Sequence, residues 1–417
     1  MDAEEIFKCR VCFSEELIPI ISLGNQYISN FVDSESEEGI KAPLDLVLCN
    51  NCKLLQIKHN APSGAMWGEQ YWYKSGISTT IKADLKDIAE KAQQLKELNM
   101  GDIVVDIGCN DGTLLGFYNK GKNLHLTGFE PSGNVAREAM SKGFNVINNF
   151  FNAKNFKEEF VDKKAKIITA ISMFYDLENP NEFLRDINEI LDNDGLFVIQ
   201  QNYLATMLEY NAFDNICHEH REYYSLSSLK NLLEKHNLEI FDAELNDING
   251  GSIRTYIKKI GNEKINPFSE SKSRINGIIE REQKIGLNTI NPYLEFALRI
   301  DKIREDSMNF LEEEKSNGKK IWIYGASTRG NVILQYFGLN SNIIDFIADK
   351  NQDKWGKKTI GSLIPITSPE EMRKTNPDYL LVNTWHFFEE IKEQEKEYFE
   401  KGGIVITALP KFRIVKK

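Results

Sequence analysis

The 417 residues, 41% apolar and 27% charged, suffice for two or three domains with sizeable cores, and no stretch has the composition of a disordered segment. A formal charge of −11 without a sustained basic run argues against a nucleic-acid surface, because phosphate backbones demand clustered Lys and Arg. The chain opens from Met1 on acidic and polar residues, and no apolar run approaches the length of a bilayer span; the expected compartment is the cytoplasm, with neither nucleic acid nor membrane as partner.

Residues 1–62 carry short apolar stretches, Leu17 to Leu23 and Leu44 to Leu48, broken by polar turns. They also carry Cys9-Arg-Val-Cys12 and Cys49-Asn-Asn-Cys52, with 36 residues between the pairs. In a reducing compartment such pairs read as metal ligands in preference to disulfides. Each puts two thiolates on one tight knuckle, and two knuckles complete a tetrahedral zinc shell with no open position. The expected zinc is therefore structural, and folding of this first domain is linked to it. Cys109 and Cys217 fall outside the set and read as interior or turn residues.

Residues 63–268 form the second expected domain. A helical pattern from about Thr79 to Leu98 leads into strands at Ile103 to Ile107, Leu124 to Glu130, Ile167 to Met173 and Leu196 to Gln201, alternating with helix-like stretches. This is the mark of a doubly wound α/β sheet. The first strand carries Asp106 and opens the glycine turn Gly108-Cys-Asn110-Asp111-Gly112. A dinucleotide site would want G-x-G-x-x-G there, so that backbone amides approach a pyrophosphate, and the match is loose. Asp106 would instead lie against the ammonium of a methionine moiety, while Glu130, followed by Pro131, can accept from both ribose hydroxyls. Together the two carboxylates favour S-adenosylmethionine over NAD. Phe150-Phe151-Asn152 suits an adenine edge and suits a core equally well.

Residues 269–417 form the third expected domain. A charged helical bridge from about Ser271 to Lys315, with Pro292 as its break, precedes Ile321-Trp-Ile-Tyr-Gly325-Ala-Ser327-Thr-Arg329-Gly330-Asn331 and a strand ending at Asp349. Gly325 and Gly330 could serve only a sharp turn and close packing, and Asp349 only a cap. Strand, glycine turn, helix start and acidic strand end together also describe a nucleotide-sized crevice, where Arg329 suits a diphosphate. Trp385 and His386, after the strand Tyr379 to Val382, either line that cleft or are simply buried. The arrangement is Rossmann-like and similar to that of the middle domain.

The cysteine pairs, Tyr71-Trp-Tyr73-Lys-Ser75-Gly76, Asp106 to Gly112, Ser172-Met-Phe-Tyr-Asp-Leu-Glu-Asn-Pro180, Cys217-His218-Glu219-His220, Gly250-Gly251-Ser252-Ile-Arg254 and the late glycine turn resemble, in order and over nearly the whole chain, the three-domain sugar C-methyltransferases. The resemblance implies a zinc domain, a central class I S-adenosylmethionine domain, a carboxyl-terminal domain that helps hold the substrate, and a nucleotide-linked keto-deoxysugar as that substrate. It also implies His220 as the base, with Glu219 orienting an imidazole or holding a sugar hydroxyl. Carbon beside a ketone becomes nucleophilic only when a proton leaves, and histidine suits that task. Tyr71 and Tyr73 are candidates for substrate or sulfonium contact, since phenol rings offer a donor and a π face. Ser172 falls in the expected cofactor site, and Arg254, Ser327, Asn331 and Trp385 fall in the expected substrate site. A few cations such as Arg254, Arg329 and Lys354 can outweigh the distant net charge.

Two departures stand out. Cys217 occupies a place where relatives often carry tyrosine, and Tyr175-Asp176 stands where a histidine commonly follows the fourth strand. These leave an O-methyltransferase on the same sugar class as the nearest alternative. A non-catalytic nucleotide-binding scaffold with structural zinc is the alternative from another class. A hydrogen-bonded interior network is the bland reading of His218-Glu219-His220. Monomer and dimer fit the sequence equally.

Overall fold

The computed structural model describes residues 3–33, 39–69, 71–118 and 120–416; Met1, on which the expectation about the chain's opening rests, lies outside them. The first unit is an antiparallel sheet of Leu17–Tyr27, Lys41–Cys49 and Leu55–Ile57. Its inward residues Leu44, Leu46 and Leu48 alternate along one strand, as a half-buried strand requires, and are at most 1% exposed. A fourth strand, Glu222–Tyr223, comes from far downstream: it pairs antiparallel with Leu55–Ile57, two residues after His220. The first unit thereby holds the chain on which the expected base sits.

In the second unit, seven strands among the described residues run in the order Leu238–Asn246, Ser252–Lys259, Leu191–Asn202, Ala165–Ile171, Ile103–Ile107, His125–Phe129 and Asn145–Ile147. The last five are parallel to one another, and Ser252–Lys259 is antiparallel to both its neighbours. Both faces are covered. Ile103, Val105 and Ile107 pack on one side, and Val104 packs on the other against the helix Thr79–Leu95. That helix buries Ile81, Leu85, Ile88, Ala92 and Leu95 at three- and four-residue spacing and is capped by the Ser78 side chain. It stops short of Leu98 because Lys96 is already extended.

The helical bridge is two helices, Ser271–Ile285 and Asn291–Ser316. The break falls at Gly286, left-handed at φ 81°, and Pro292 starts the second helix in the first turn, where its missing N–H costs nothing. The first bridging helix docks on the middle unit: buried Glu282 accepts from the Tyr203 hydroxyl at 3.0 Å. The third unit is a sheet ordered Ile366–Thr367, Phe346–Ala348, Ile321–Tyr324, Tyr379–Val382, Ile404–Thr407 and Arg413–Val415, parallel except for its last strand. In both large sheets the strand order reverses beside the first strand of the unit, which opens a crevice at the carboxyl ends. Among the described residues, no helix is long and apolar enough to cross a membrane.

Candidate active site

The four predicted zinc ligands converge. Cys9 Sγ lies 3.5 Å from Cys52 Sγ, Cys12 Sγ lies 3.5 Å from Cys49 Sγ, and all four sulfurs are within 4.8 Å of one another. Zinc–sulfur bonds of roughly 2.3 Å in a tetrahedron need sulfurs roughly 3.8 Å apart, so the set fits zinc. Each knuckle closes alike: the amides of Phe13 and Lys53 donate to the carbonyls of Cys9 and Cys49, both at 3.0 Å.

At the carboxyl ends of the middle sheet lies a cavity of about 390 Å³. That is the size of a single cofactor-like ligand. Asp106, Gly108, Asn110, Glu130, Pro131, Phe151 and Ser172 line it, together with Tyr71 and Tyr73. Asp106 is 3% exposed and accepts a hydrogen bond from the Thr169 hydroxyl at 2.6 Å. Burial first, and the nearby Glu130 carboxylate after it, push its carboxyl up to about 7. A buried acid facing a cavity without its cation behaves in this way, and an ammonium group placed there would restore the charged form. The residues therefore fit the amino-acid end of S-adenosylmethionine. Glu130 accepts from the amides of Asn110 (3.0 Å) and Ser132 (2.8 Å), which fixes its carboxylate at the rim. Phe151 lines the cavity and at the same time packs edge-on against Phe129 and Phe183, at 5.1 and 5.3 Å.

This predicts the pH dependence of cofactor binding. The ligand favours the ionised form of Asp106, so affinity should be highest above pH 7 and weaken as pH falls below it, by up to about tenfold per unit. Calorimetry across that range should also register a proton released on binding; a flat profile would count against contact between Asp106 and the ligand's cation.

Asp111 and Gly112 stand behind the cavity wall. Asp111 accepts from the Gly76 amide at 3.0 Å and lies 3.3 Å from Lys142; a side chain at Gly112, where φ is 76°, would strike Phe144. Asn110 does two jobs: its side chain accepts from the Ser75 amide (3.0 Å) and donates to the Tyr73 carbonyl (3.1 Å). Residues 71–76 are thus a strap closed over the cavity mouth. Tyr71 is clasped at both its amide and its carbonyl by Asn134, each at 2.9 Å. On the strap's other side, the Trp72 carbonyl accepts from Asn351 of the third unit and the Trp72 indole donates to Asn30 of the first.

Cys217 to His220 do not themselves line the cavity; they adjoin its wall through Arg221, the next residue, and through Asp176, whose neighbour Tyr175 packs on His220. His220 Nδ1 lies 3.0 Å from the Asn215 carbonyl, which can only accept, so Nδ1 carries the proton and Nε2 keeps its lone pair. Burial, then the positive charge of Arg329, pushes this histidine down to about 3, and it is neutral at physiological pH. Its ring packs against Tyr175, centroids 4.4 Å apart. Because Asn215 orients the imidazole, Glu219 is left for another task. One of its carboxylate oxygens, buried, has no partner, and burial raises the group to about 7. His218 turns away to the Ala42 carbonyl in the first unit at 3.0 Å, so the three residues do not form one interior network.

In the third unit, Asp349 repeats what Glu130 does in the second. It accepts from the glycine-turn amide of Ala326 (2.7 Å) and from Asn351 two residues on (2.8 Å). Ser327 caps the helix Thr328–Phe337 by accepting from the Gly330 amide at 2.9 Å, and at Gly325, φ 93°, a side chain would strike Thr384. Asn331 is 1% exposed with both amide atoms unpartnered. Lys354 donates to the Ala326 carbonyl at 2.7 Å.

Two cations expected to face a diphosphate point elsewhere. Arg254, 2% exposed, is caged by Asp84 (2.7 Å), Asp87 (2.6 Å) and Gln200 (2.8 Å), behind the cofactor cavity. Arg329 leaves its own unit: it donates to Asp214 at 2.8 Å and to the Asn249 carbonyl at 2.6 Å in the middle unit. Trp385 Nε1 donates to the same Asp214 oxygen at 3.1 Å, over Gly250, where any side chain would strike the indole. Asp214 and Asn215 were missed in the sequence; their position just ahead of Cys217–His220 was the available signal.

Three family models match: a zinc binding domain over residues 9–67, a methyltransferase domain over 79–243 and a C-methyltransferase C-terminal domain over 247–410. The C-methyltransferase NovU of Streptomyces niveus is 30% identical over 415 residues, 98% of this chain and 97% of that protein. An uncharacterised protein of Methanocaldococcus jannaschii, MJ1252, is 33% identical over 27% of this chain and 41% of its own length. Among solved structures, the plantazolicin methyltransferase BpumL matches at 18% identity and a TM-score of 0.35, over 50% of this chain and 81% of its own, a likeness too loose to argue from.

Proposed function

Since the chain belongs to the C-methyltransferase family, as an S-adenosylmethionine-dependent enzyme with a zinc-binding first domain, we propose that it methylates a carbon beside the ketone of a nucleotide-linked deoxysugar. The observation that carries this reading is His220: a neutral imidazole with Nε2 free, held beside the cofactor cavity by a backbone carbonyl. Transfer to carbon needs such a base.

When bound, S-adenosylmethionine supplies an electrophilic methyl on a sulfonium. The chain's residues do the rest. Asp106 holds the ammonium end and Glu130 the ribose. The aromatic wall of Tyr71, Tyr73 and Phe151 excludes water and offers π faces to a cation. His220 Nε2 takes the proton from the carbon next to the ketone. Glu219, with one oxygen awaiting a donor, accepts a sugar hydroxyl and fixes the ring's register. The parallel between Asp349 and Glu130 supports a nucleotide in the third unit, with Gly325, Ser327 and Asn331 at its turn. On this reading the domains divide at about residues 62 and 268.

The test is incubation with methyl-labelled S-adenosylmethionine and a panel of thymidine- and uridine-diphosphate-linked 4-keto-6-deoxyhexoses. A new methyl on a carbon that has lost its hydrogen supports the proposal. A methoxy signal favours O-methylation instead. No incorporation into any member, while the cofactor binds, would favour a scaffold.

A further inference from the structure

The Asp214–Arg329 pair is an odd way to join two domains. Asp214 is fully buried, and its second oxygen, Oδ1, has no partner. The Arg329 guanidinium uses Nε on Asp214 and one terminal nitrogen on the Asn249 carbonyl. The other terminal nitrogen, Nη2, lies 2.7 Å from the same carboxylate oxygen but makes no hydrogen bond there, and it too is buried. An imperfectly satisfied buried ion pair is a weak source of stability, so its retention calls for another reason.

The neighbour in sequence supplies one. Asp214 and Asn215 belong to a single 3-10 turn, Phe213–Asn215; the first grips Arg329 and the carbonyl of the second grips His220. One turn therefore presents a proton acceptor and a cation side by side. The charge of Arg329 bears on His220, Tyr175 and Cys217 alike. Asn249, whose carbonyl holds the guanidinium, is itself part of the cofactor cavity wall. Cys217, buried and with its thiol pushed well up by that burial, offers at best a weak S–H donor beside His220.

We propose that Arg329, reaching out of the third domain, is the hydrogen-bond donor to the enolate oxygen of the substrate, with Asp214 as its positioning residue. This deepens the reading of the protein as a C-methyltransferase of keto sugars and rests on it. In the step, the C–H bond next to the ketone breaks, its proton goes to His220 Nε2, its electron pair forms the new C=C bond, and the π pair of the C=O bond moves onto the oxygen. An Nη2–H, ion-paired with Asp214 but without a hydrogen bond of its own, meets the charge that develops there.

The experiment follows solvent deuterium into the carbon beside the ketone, with S-adenosylhomocysteine bound, using whichever panel sugar the wild-type enzyme methylates. Arg329→Ala should lose exchange and methyl transfer together, each by about 100-fold or more, the effect of removing one oxyanion donor. Affinity for S-adenosylhomocysteine should stay within about twofold, the change expected when a residue outside the cofactor's contacts is altered. Added guanidinium ion should restore part of both rates, which a lost domain brace would not allow. If Arg329→Ala does not fold, Asp214→Asn keeps the guanidinium but loosens it, and should slow exchange and transfer in parallel. Exchange at the wild-type rate in whichever variant folds overturns the proposal, whether or not methyl transfer falls. A wild-type enzyme inert toward the whole panel overturns the substrate reading itself, and this assignment with it.

Discussion

His220→Ala should cost methyl transfer about three orders of magnitude, within the range that a positioned general base contributes. S-adenosylmethionine should bind nearly as before. The separation follows from geometry: Asp106, Glu130 and the aromatic wall line the cofactor cavity, whereas His220 stands beyond them, fixed through Nδ1 to Asn215. Nothing that holds the cofactor depends on the imidazole. The ring enters neutral, so its removal takes away a lone pair and not a charge, and the surrounding carboxylates keep their company. Single-turnover assays beside calorimetry would read the two effects separately. Methyl transfer surviving in His220→Ala would move the base elsewhere, with Glu219, raised to about 7, the first group to consider.

Removing the metal should have a comparably large and less local effect. Structural zinc sites of this kind tie roughly 10 kcal/mol of folding free energy to the ion. Cys49→Ser or a strong chelator should therefore unfold the first domain and lower the melting temperature by at least about 10 °C. Catalysis should fall with it. Leu55–Ile57 begins three residues after Cys52 and pairs with Glu222–Tyr223, and the Tyr223 hydroxyl shares its one proton between the Asn215 and His220 carbonyls, at 3.1 and 3.0 Å. His218 is anchored to Ala42 in the same sheet. Hydrogen exchange should consequently rise across residues 217–224 on metal removal, well away from the sulfurs. Full activity in protein shown by metal analysis to be zinc-free would contradict this coupling.

What could be read in the sequence was what the chain writes locally. The cysteine knuckles, the strand ending near Asp106 and the glycine turns each declare themselves within a dozen residues, and all of them fold as expected. Three features resisted because their partners lie far along the chain. Arg254 looks like a free cation until Asp84 and Asp87, some 170 residues earlier, are folded against it. Arg329 sits at a helix start suited to phosphate, yet its long side chain finds a buried carboxylate in another domain. Strand Glu222–Tyr223 is too short to announce a sheet, and its pairing with the zinc domain comes from tertiary packing alone. Pro292 has the local mark of a helix break, but Gly286, with its left-handed φ, makes the break and Pro292 opens the next helix.

The strap at residues 71–76 ties three parts of the chain together. Its backbone is gripped by Asn134 and Asn110 toward the methyl donor and by Asn351 of the third domain, while the Trp72 indole donates to Asn30 of the first. A tether held in this staggered way cannot be displaced at one rung without loading the next. Any tilt of the third domain that draws on the Trp72 carbonyl also tugs at Tyr71 and Tyr73, whose rings roof the donor's chamber. The donor's chamber is thereby fastened, through one short segment, to all three parts of the chain.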